Sequence, residues 1–484
     1  MHDSLTPLLN ALSQAAQRQH AAFYAPGHKQ GQGVSRKMQD LIGKQVFQAD
    51  LPELPELDNL FAPTGAIVAA QSLAAQTFGA THTWFLVNGS TSGIIAAILA
   101  TCGMGEKIIL PRNIHQSAIA GLILSGAIPI FINPETEPQG GFAYNVTPEA
   151  VSQALIQHPD TKAVMILHPT YQGVCSDLQA IADLTHSYQI PLLVDEAHGA
   201  HFAFHADLPP SAMSLGADLA VQSTHKTLSS LTQSSMVHLQ GDRVCPQRIS
   251  KALQLVQSTS PSYLLLASLD ATRQQMATAG NELMREAIAL ARIARTKIAE
   301  IPYLSIFNPE IQPGCHHLDL TRLTIDISPL GITGFAADEI LHKQLGVTCE
   351  LPLLQHLTFI ISLGNTSADI QQLIEAISVL SSRFQAPSSK RPALSFPLPA
   401  FSSPSVIVSP RQAYFSATET ISIEQGSDRL CGELICPYPP GIPLLMPGEV
   451  ITREVIEYLQ QIVAAGGTIT GCNDPTLQTV QALK

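Results

Sequence analysis

The chain has 484 residues, 45% of them apolar and 13% charged, with a formal net charge of −12, a length that accommodates two or three domains around a large buried core. The mild acidity leaves no basic footprint for nucleic acid, no run of about 18 apolar residues offers a membrane span, and Met1-His2-Asp3-Ser4 does not open a basic and then apolar leader. The eight cysteines contain no Cys-x-x-Cys pair, so they read as buried free thiols of a reducing cytoplasm and not as a disulfide scaffold or metal knuckle.

Residues 1–60 read as an arm. An amphipathic helix over about 4–20 leads to Pro26-Gly27-His28-Lys29-Gln30-Gly31 and then to a Pro- and Leu-rich loop at 51–58. A segment of this kind suits wrapping a partner subunit. From 61 to 300 short apolar strands (83–87, 107–110, 128–132, 163–167, 191–194, 219–222) alternate with helices (92–101, 116–125, 148–157, 177–188). That rhythm predicts an α/β domain with a mainly parallel sheet covered on both faces, which binds ligands at the C-terminal ends of its strands. A long helix at 281–300 leads to a smaller α+β domain, 301–384, with strands at 322–326 and 357–362 and helices at 336–345 and 367–382. The Pro- and Ser-rich stretch 385–404 is a linker. Residues 405–484 form a C-terminal α+β domain, in which the proline run from Pro437 to Pro443 is an extended loop.

Chemistry concentrates at three places in the larger domain. Ser223-Thr224-His225-Lys226 follows one apolar strand, and Asp195 ends another. A lysine in a polar turn and a carboxylate at a strand end are what pyridoxal phosphate needs, the amine for a Schiff base and the acid to pair with the pyridinium nitrogen. At Asn88-Gly89-Ser90-Thr91-Ser92-Gly93 a strand turns into a helix; free backbone N–H groups and the hydroxyls of Ser90, Thr91 and Ser92 suit a phosphate there. Ser223 and His225 are further phosphate-side candidates. Ala197 is small enough for a ring to lie against, and His198 is placed to hydrogen-bond a phenolic oxygen. A zinc site at His198, His201 and His205 would need one helix, whereas Gly199 implies a loop. No Gly-x-Ser-x-Gly elbow supports a serine hydrolase.

These motifs, with 57–65, 111–117, 169–173, 195–201, 223–233 and 438–449, resemble the Orn/Lys/Arg decarboxylase family of fold-type I pyridoxal-phosphate enzymes over nearly the whole chain. The resemblance implies that Lys226 is the Schiff-base lysine, Asp195 the pyridinium partner and His115 the residue stacked on the ring. It places Ser90, Thr91, Ser223 and His225 on the phosphate side, and implies a homodimer or larger homo-oligomer with its active site at the subunit interface. The chain starts almost at once with its cofactor domain, like the short biosynthetic arginine decarboxylases and unlike the larger acid-induced forms.

The implied reaction is decarboxylation of a basic amino acid, arginine to agmatine first, with lysine or ornithine as alternatives. The substrate's distal cation needs a carboxylate, for which Glu449 stands first, with Asp58 and Glu433 behind it. Glu449 also suits capping the helix near 450. An aminotransferase or aldolase on the same fold would share Asp195 and Lys226, and Arg322 would then grip a substrate carboxylate. A non-catalytic protein would not need the lysine.

Overall fold

The computed structural model describes residues 5–136, 141–384, 408–438 and 441–484. The expected linker 385–404, Pro439 and Pro440 of the proline run, and the first residue of the expected N-terminal helix lie outside the described residues.

The alternating pattern forms a seven-stranded sheet: β1 (His82–Leu86), β2 (Lys107–Pro111), β3 (Ile128–Ile132), β4 (Thr161–Leu167), β5 (Leu192–Asp195), β6 (Leu219–Gln222) and β7 (Ser235–Leu239). Their order is β1-β7-β6-β5-β4-β2-β3. Strands β6, β5, β4, β2 and β3 pair in parallel, while β7 runs antiparallel to both β1 and β6. Successive residues serve opposite faces. Leu193, Met165 and Val221 join one apolar cluster with helices Gly89–Thr101, Gln116–Ser125 and Pro246–Val256. Val194, Ile166 and Ala220 join the other with Pro148–Gln157 and Leu178–Ser187. This two-sided burial is why the strands read as continuous apolar runs.

Strand β7 is absent from the sequence expectations. Ser235 and His238 interrupt its apolar run, although the whole strand is buried. His238 is satisfied internally: Thr83 Oγ1 donates to its Nδ1 at 2.8 Å, and its Nε2 bonds to Gln222 Oε1 at 3.0 Å. The long helix also exceeds expectation, running from Tyr263 to Ala299 over 37 residues. Gly280 lies inside it, not before it. A Cβ there would come within 2.9 Å of Phe204, so the glycine serves close packing.

A second, four-stranded antiparallel sheet has the order Leu351–Pro352, His356–Ile360, Arg322–Asp326, Ser305–Ile306. The helix expected at 336–345 is α-helical over Gly334–Ile340 and continues as a π-turn over Leu341–Leu345. Thr366 and Asp369 form a capping box on helix Ser367–Arg383. Near the C-terminus, Thr418–Ser422 pairs with Thr479–Leu483 and Cys436–Tyr438 with Thr468–Thr470, around a core that includes Ile456 and Leu459 of helix Arg453–Ala464. The eight cysteines are free, with only Cys245 exposed. Among the described residues no helix is long and apolar enough to cross a membrane.

The N-terminal helix Pro7–Ala16 has no side-chain cap of its own. The fully buried Asp270 on the long helix supplies one: its Oδ2 accepts the N–H groups of Leu8 at 2.9 Å and Leu9 at 3.2 Å. Its Oδ1 accepts Arg273 Nη2 at 2.8 Å, and Arg273 also donates to the carbonyl of Leu5. Removing Asp270 takes a carboxylate partner away from the fully buried guanidinium of Arg273, which costs about 3–5 kcal/mol. Asp270→Ala is therefore expected to lower the denaturation midpoint and to speed trypsin cleavage at Arg18. An unchanged midpoint with unchanged cleavage would mean the helix is held by other contacts.

Candidate active site

The parallel sheet presents Asp195 at the end of β5, and the turn Ser223–Lys226 directly after β6. The two strands are neighbours, with Asp195 opposite Val221. Lys226 sits in a single helical turn, Thr224–Thr227. Its Nζ donates to His198 Nε2 at 3.0 Å and lies 5.5 Å from the centre of the Tyr171 ring. Tyr171 in turn packs against His198, ring centres 4.3 Å apart. Asp195 Oδ1 accepts the backbone N–H of Ala197 at 3.2 Å, which fixes the carboxylate against the small residue beside it.

Helix Gly89–Thr101 begins beside this pair. Gly93 lets it settle onto the sheet, for a Cβ there would come within 2.6 Å of Val221 and 2.8 Å of Leu86. Its first turn thus reaches the end of β6, where Ser223 Oγ donates to Ser90 Oγ at 2.7 Å. Thr91 is exposed in the same turn. Ser92 departs from expectation: it is buried and its hydroxyl donates to Gly89 O at 2.8 Å, so it closes its own helical turn. The Nδ1 of His225 is likewise engaged, with the carbonyl of Ser234 at 2.8 Å.

His115 caps helix Gln116–Ser125 by accepting the N–H of Ser117, and Gly441 of the C-terminal segment lies against its ring edge. Burial and then the charge of Lys226 push His115 down to about 4, so the ring is neutral at physiological pH. His198 is held well below its ordinary value by burial, then by Lys226 and Arg322. A neutral His198 that accepts from Lys226 at Nε2 carries its proton on Nδ1, and that buried nitrogen has no partner among the described residues. Burial lowers Lys226, opposed by Asp195; burial raises Asp195, opposed by Lys226. Each charge stabilises the other in a dry setting.

Two groups that the sequence did not bring forward, Asp319 and Glu350, complete the surroundings together with Arg322. Asp319, fully buried, accepts His201 Nε2 at 3.0 Å and Thr321 Oγ1 at 2.7 Å, and lies 3.6 Å from Arg322 Nε. Burial raises its pKa, but these neighbours outweigh that and hold it at about 2. Arg322 Nη2 donates to the carbonyl of His198 at 3.0 Å. Glu350 is exposed, and its charge acts on Lys226, Arg322 and Tyr171. His198, His201 and His205 diverge to Lys226, Asp319 and the N–H of Asp207 respectively. No His, Cys, Asp or Glu cluster among the described residues is arranged for a metal ion.

The carboxylates expected to meet a substrate cation are committed elsewhere. Glu449 is buried and receives Arg112 twice, Nε at 3.0 Å and Nη2 at 2.9 Å, along with the N–H of Met446 at 2.9 Å. Arg112 also donates to the carbonyls of Pro443 at 2.7 Å and Leu444 at 3.1 Å. Glu449 is therefore a clamp on the loop before His115; it neither caps the helix near 450 nor is free for substrate, and that helix is capped by Thr452. Asp58 accepts four backbone N–H groups, from Asn59, Thr64, Gly65 and Ile67, and so shapes the turn into helix Ala66–Phe78. Glu433 is bonded to the N–H groups of Asn473 and Gln481. Arg322, weighed as a carboxylate grip, is fully buried against Asp319 and His198.

The residues fit pyridoxal phosphate. A buried carboxylate stands near a half-buried amine, and among the described residues a neutral histidine has an unpartnered Nδ1 and the buried Thr224 Oγ1 is also unpartnered. A helix N-terminus with a hydroxyl pair stands beside them, suited to an anion.

Fold and site together define an α/β protein of the fold-type I pyridoxal-phosphate class. The model of the Orn/Lys/Arg decarboxylase major domain matches residues 6–322 and that of the family's C-terminal domain residues 400–477. The chain is 39% identical over 481 residues to a Bacillus subtilis protein named arginine decarboxylase, covering 99% of this chain and 98% of that one. It is 40% identical over 481 residues to its namesake in Halalkalibacterium halodurans, covering 99% and 98%. Among solved structures, lysine decarboxylase A from Pseudomonas aeruginosa superposes with a TM-score of 0.83 at 22% identity, covering 100% of this chain and 81% of that one. The chain belongs to the Orn/Lys/Arg decarboxylase family.

Glu196, next to Asp195, is fully buried beneath the site and accepts Ala212 N–H at 2.7 Å and Gln222 Nε2 at 2.8 Å. Gln222 connects through His238 to Thr83, so the chain of bonds crosses the β5, β6, β7 and β1 strands. Burial raises Glu196 to about 8 despite both donors. The folded state then binds more protons than the unfolded chain between the usual glutamate range and about pH 8, so stability falls as pH rises through that window. Glu196→Gln, which removes the titration and keeps one of the two accepted bonds, is expected to flatten this slope. Equal slopes in urea midpoints measured from pH 5 to 8 would contradict it.

Proposed function

We propose that this protein is a pyridoxal-phosphate-dependent decarboxylase of a basic L-amino acid, converting arginine to agmatine as a step toward polyamines. The observation that carries the reading is Lys226, half-buried just after β6 near Asp195 and bonded to His198. The names of the 39–40% identical relatives favour arginine over lysine or ornithine. We assign the cofactor's aldehyde to Lys226, its ring nitrogen to Asp195, its outer face to His115, its phenolic side to Ala197 and His198, and its phosphate to Ser90, Thr91 and Ser223. When bound, the cofactor supplies an electron sink for the pair left as the bond from Cα to the carboxylate breaks.

The chain's own residues supply the rest. Burial raises Asp195, and Lys226 and the N–H of Ala197 oppose this by favouring its carboxylate form, so that it can provide negative charge at a desolvated point. Tyr171 and the depressed histidines make that point dry and low in competing cations, which favours loss of a charged carboxylate. His198 Nε2 accepts a hydrogen bond from Lys226 Nζ and so orients the amine, the proposed donor of the proton that must reach Cα. Glu350, in place of Glu449, is the proposed acceptor for the substrate's distal cation. The burial of Arg322 supports no carboxylate grip and thus no aminotransferase. We further assign the chain to the cytoplasm and to a homodimer or larger homo-oligomer with a shared site, the 1–60 arm wrapping the partner. Its units are a cofactor domain at 61–300, a small domain at 301–384 and a C-terminal domain at 405–484.

The test is CO2 release by the cofactor-loaded protein with arginine, lysine and ornithine offered separately. Release from arginine is expected, falling by more than about a thousandfold in Lys226→Ala; release from none of them would end the reading. Glu350→Gln is expected to raise KM for arginine about tenfold or more with kcat nearly kept, the signature of a lost charged hydrogen bond to the substrate. An unchanged KM would move the acceptor elsewhere.

A further inference from the structure

A second recess lies apart from the site around Lys226 and shares none of the residues assigned to it. A groove of about 550 Å³ opens along the edge strand β1, between helix Ala66–Phe78 and helix Pro246–Val256. It continues inward to a pocket of about 90 Å³, and Pro63, Gln71, Trp84 and Ser250 line both. His82 and Trp84, two apart on β1, stand on one face with ring planes 19° apart and centres separated by 5.9 Å. Ser250 accepts the indole N–H at 3.1 Å, which fixes the orientation of the larger ring. Gln71 is only 6% exposed, and its Nε2 has no hydrogen-bond partner among the described residues. An unsatisfied buried amide donor is a cost that folds rarely retain. Lys251 lines the groove, and no acidic residue does.

We propose that this groove is a binding site for a planar aromatic carboxylate with an acceptor on its ring. The ring lies along Trp84, Gln71 Nε2 donates to the ring acceptor, and the ammonium of Lys251 meets the carboxylate. Each element answers a separate feature of the recess: aromatic surface gains from a flat ring, the orphaned donor needs an acceptor, and the lone cation needs an anion. A cationic metabolite has no counter-charge here, which separates the groove from the basic-amino-acid site.

Trp84 is the only tryptophan of the chain, so its emission reports this groove alone. Titrating the holoenzyme with nicotinate, which carries a ring nitrogen and a carboxylate, is expected to change that emission saturably with a Kd below about 1 mM. Nicotinamide, without the charge, and cyclohexanecarboxylate, without the ring, are expected to bind at least about tenfold more weakly. Lys251→Gln and Gln71→Leu are each expected to weaken nicotinate by about tenfold while CO2 release and thermal midpoint stay as in the parent, which separates loss of the site from loss of the fold. Arginine at saturation is expected to leave the titration in place. The proposal falls if emission does not respond to 10 mM nicotinate, if both variants bind as the parent does, if arginine abolishes the response, or if acrylamide cannot reach Trp84 in the holoenzyme.

Discussion

The structure turns on two opposite charges kept out of water at the ends of neighbouring strands. Asp195 and Lys226 each suffer from burial, and each is the main counter-influence on the other. Such a pair is tolerable only where geometry is fixed from outside. The parallel pairing of β5 with β6 supplies that geometry, since it sets Asp195 opposite Val221, just ahead of the turn that carries the lysine. The two-sided apolar packing of both strands holds the register. The helix beginning at Gly89 is drawn to the same end of the sheet by the close fit of Gly93, and it brings an electropositive terminus to where an anion is needed.

Around this centre lies a layer of polar residues that touch one another more than they touch the pair. Asp319 holds His201 and Arg322, Arg322 holds the backbone of His198, and His198 holds Lys226. Glu196 ties the strands together from beneath. Orientation of the Lys226 amine is thereby shared between the large sheet and the antiparallel sheet that contains Arg322. Neither sheet alone fixes His198, because one supplies its ring contacts and the other restrains its carbonyl.

Much of this was legible in the sequence, for reasons that differ by element. Strands buried on both faces announce themselves as apolar runs, so β2 to β6 fell near their expected bounds, and Asp195 and Lys226 stood out as polar residues at the ends of such runs. Strand β7 was hidden because Ser235 and His238 break its apolar run, and His238 finds its partners only across the sheet, which no local pattern records. Carboxylates were the least legible. Glu449, Asp58 and Glu433 looked available because a sequence shows a charge but not its commitments, and each proved to be bound by an arginine or by backbone N–H groups. Glu350, without such ties, carries no motif. The arginine that neutralises Glu449 lies 337 residues upstream, a separation at which spacing tells nothing.

That separation bears on how the molecule is made. Arg112 lies in the loop that leads to His115, and its guanidinium donates to Glu449 and to the carbonyls of Pro443 and Leu444. During synthesis the strands of the sheet emerge well before Pro443, Leu444 and Glu449, so these acceptors reach Arg112 only when nearly all of the chain has left the ribosome. The loop that leads to His115 therefore gains this clamp later than the sheet gains its strands. A chain that stops short of Pro443 lacks all three of these acceptors, so the clamp ties the setting of that loop to the far end of the polypeptide.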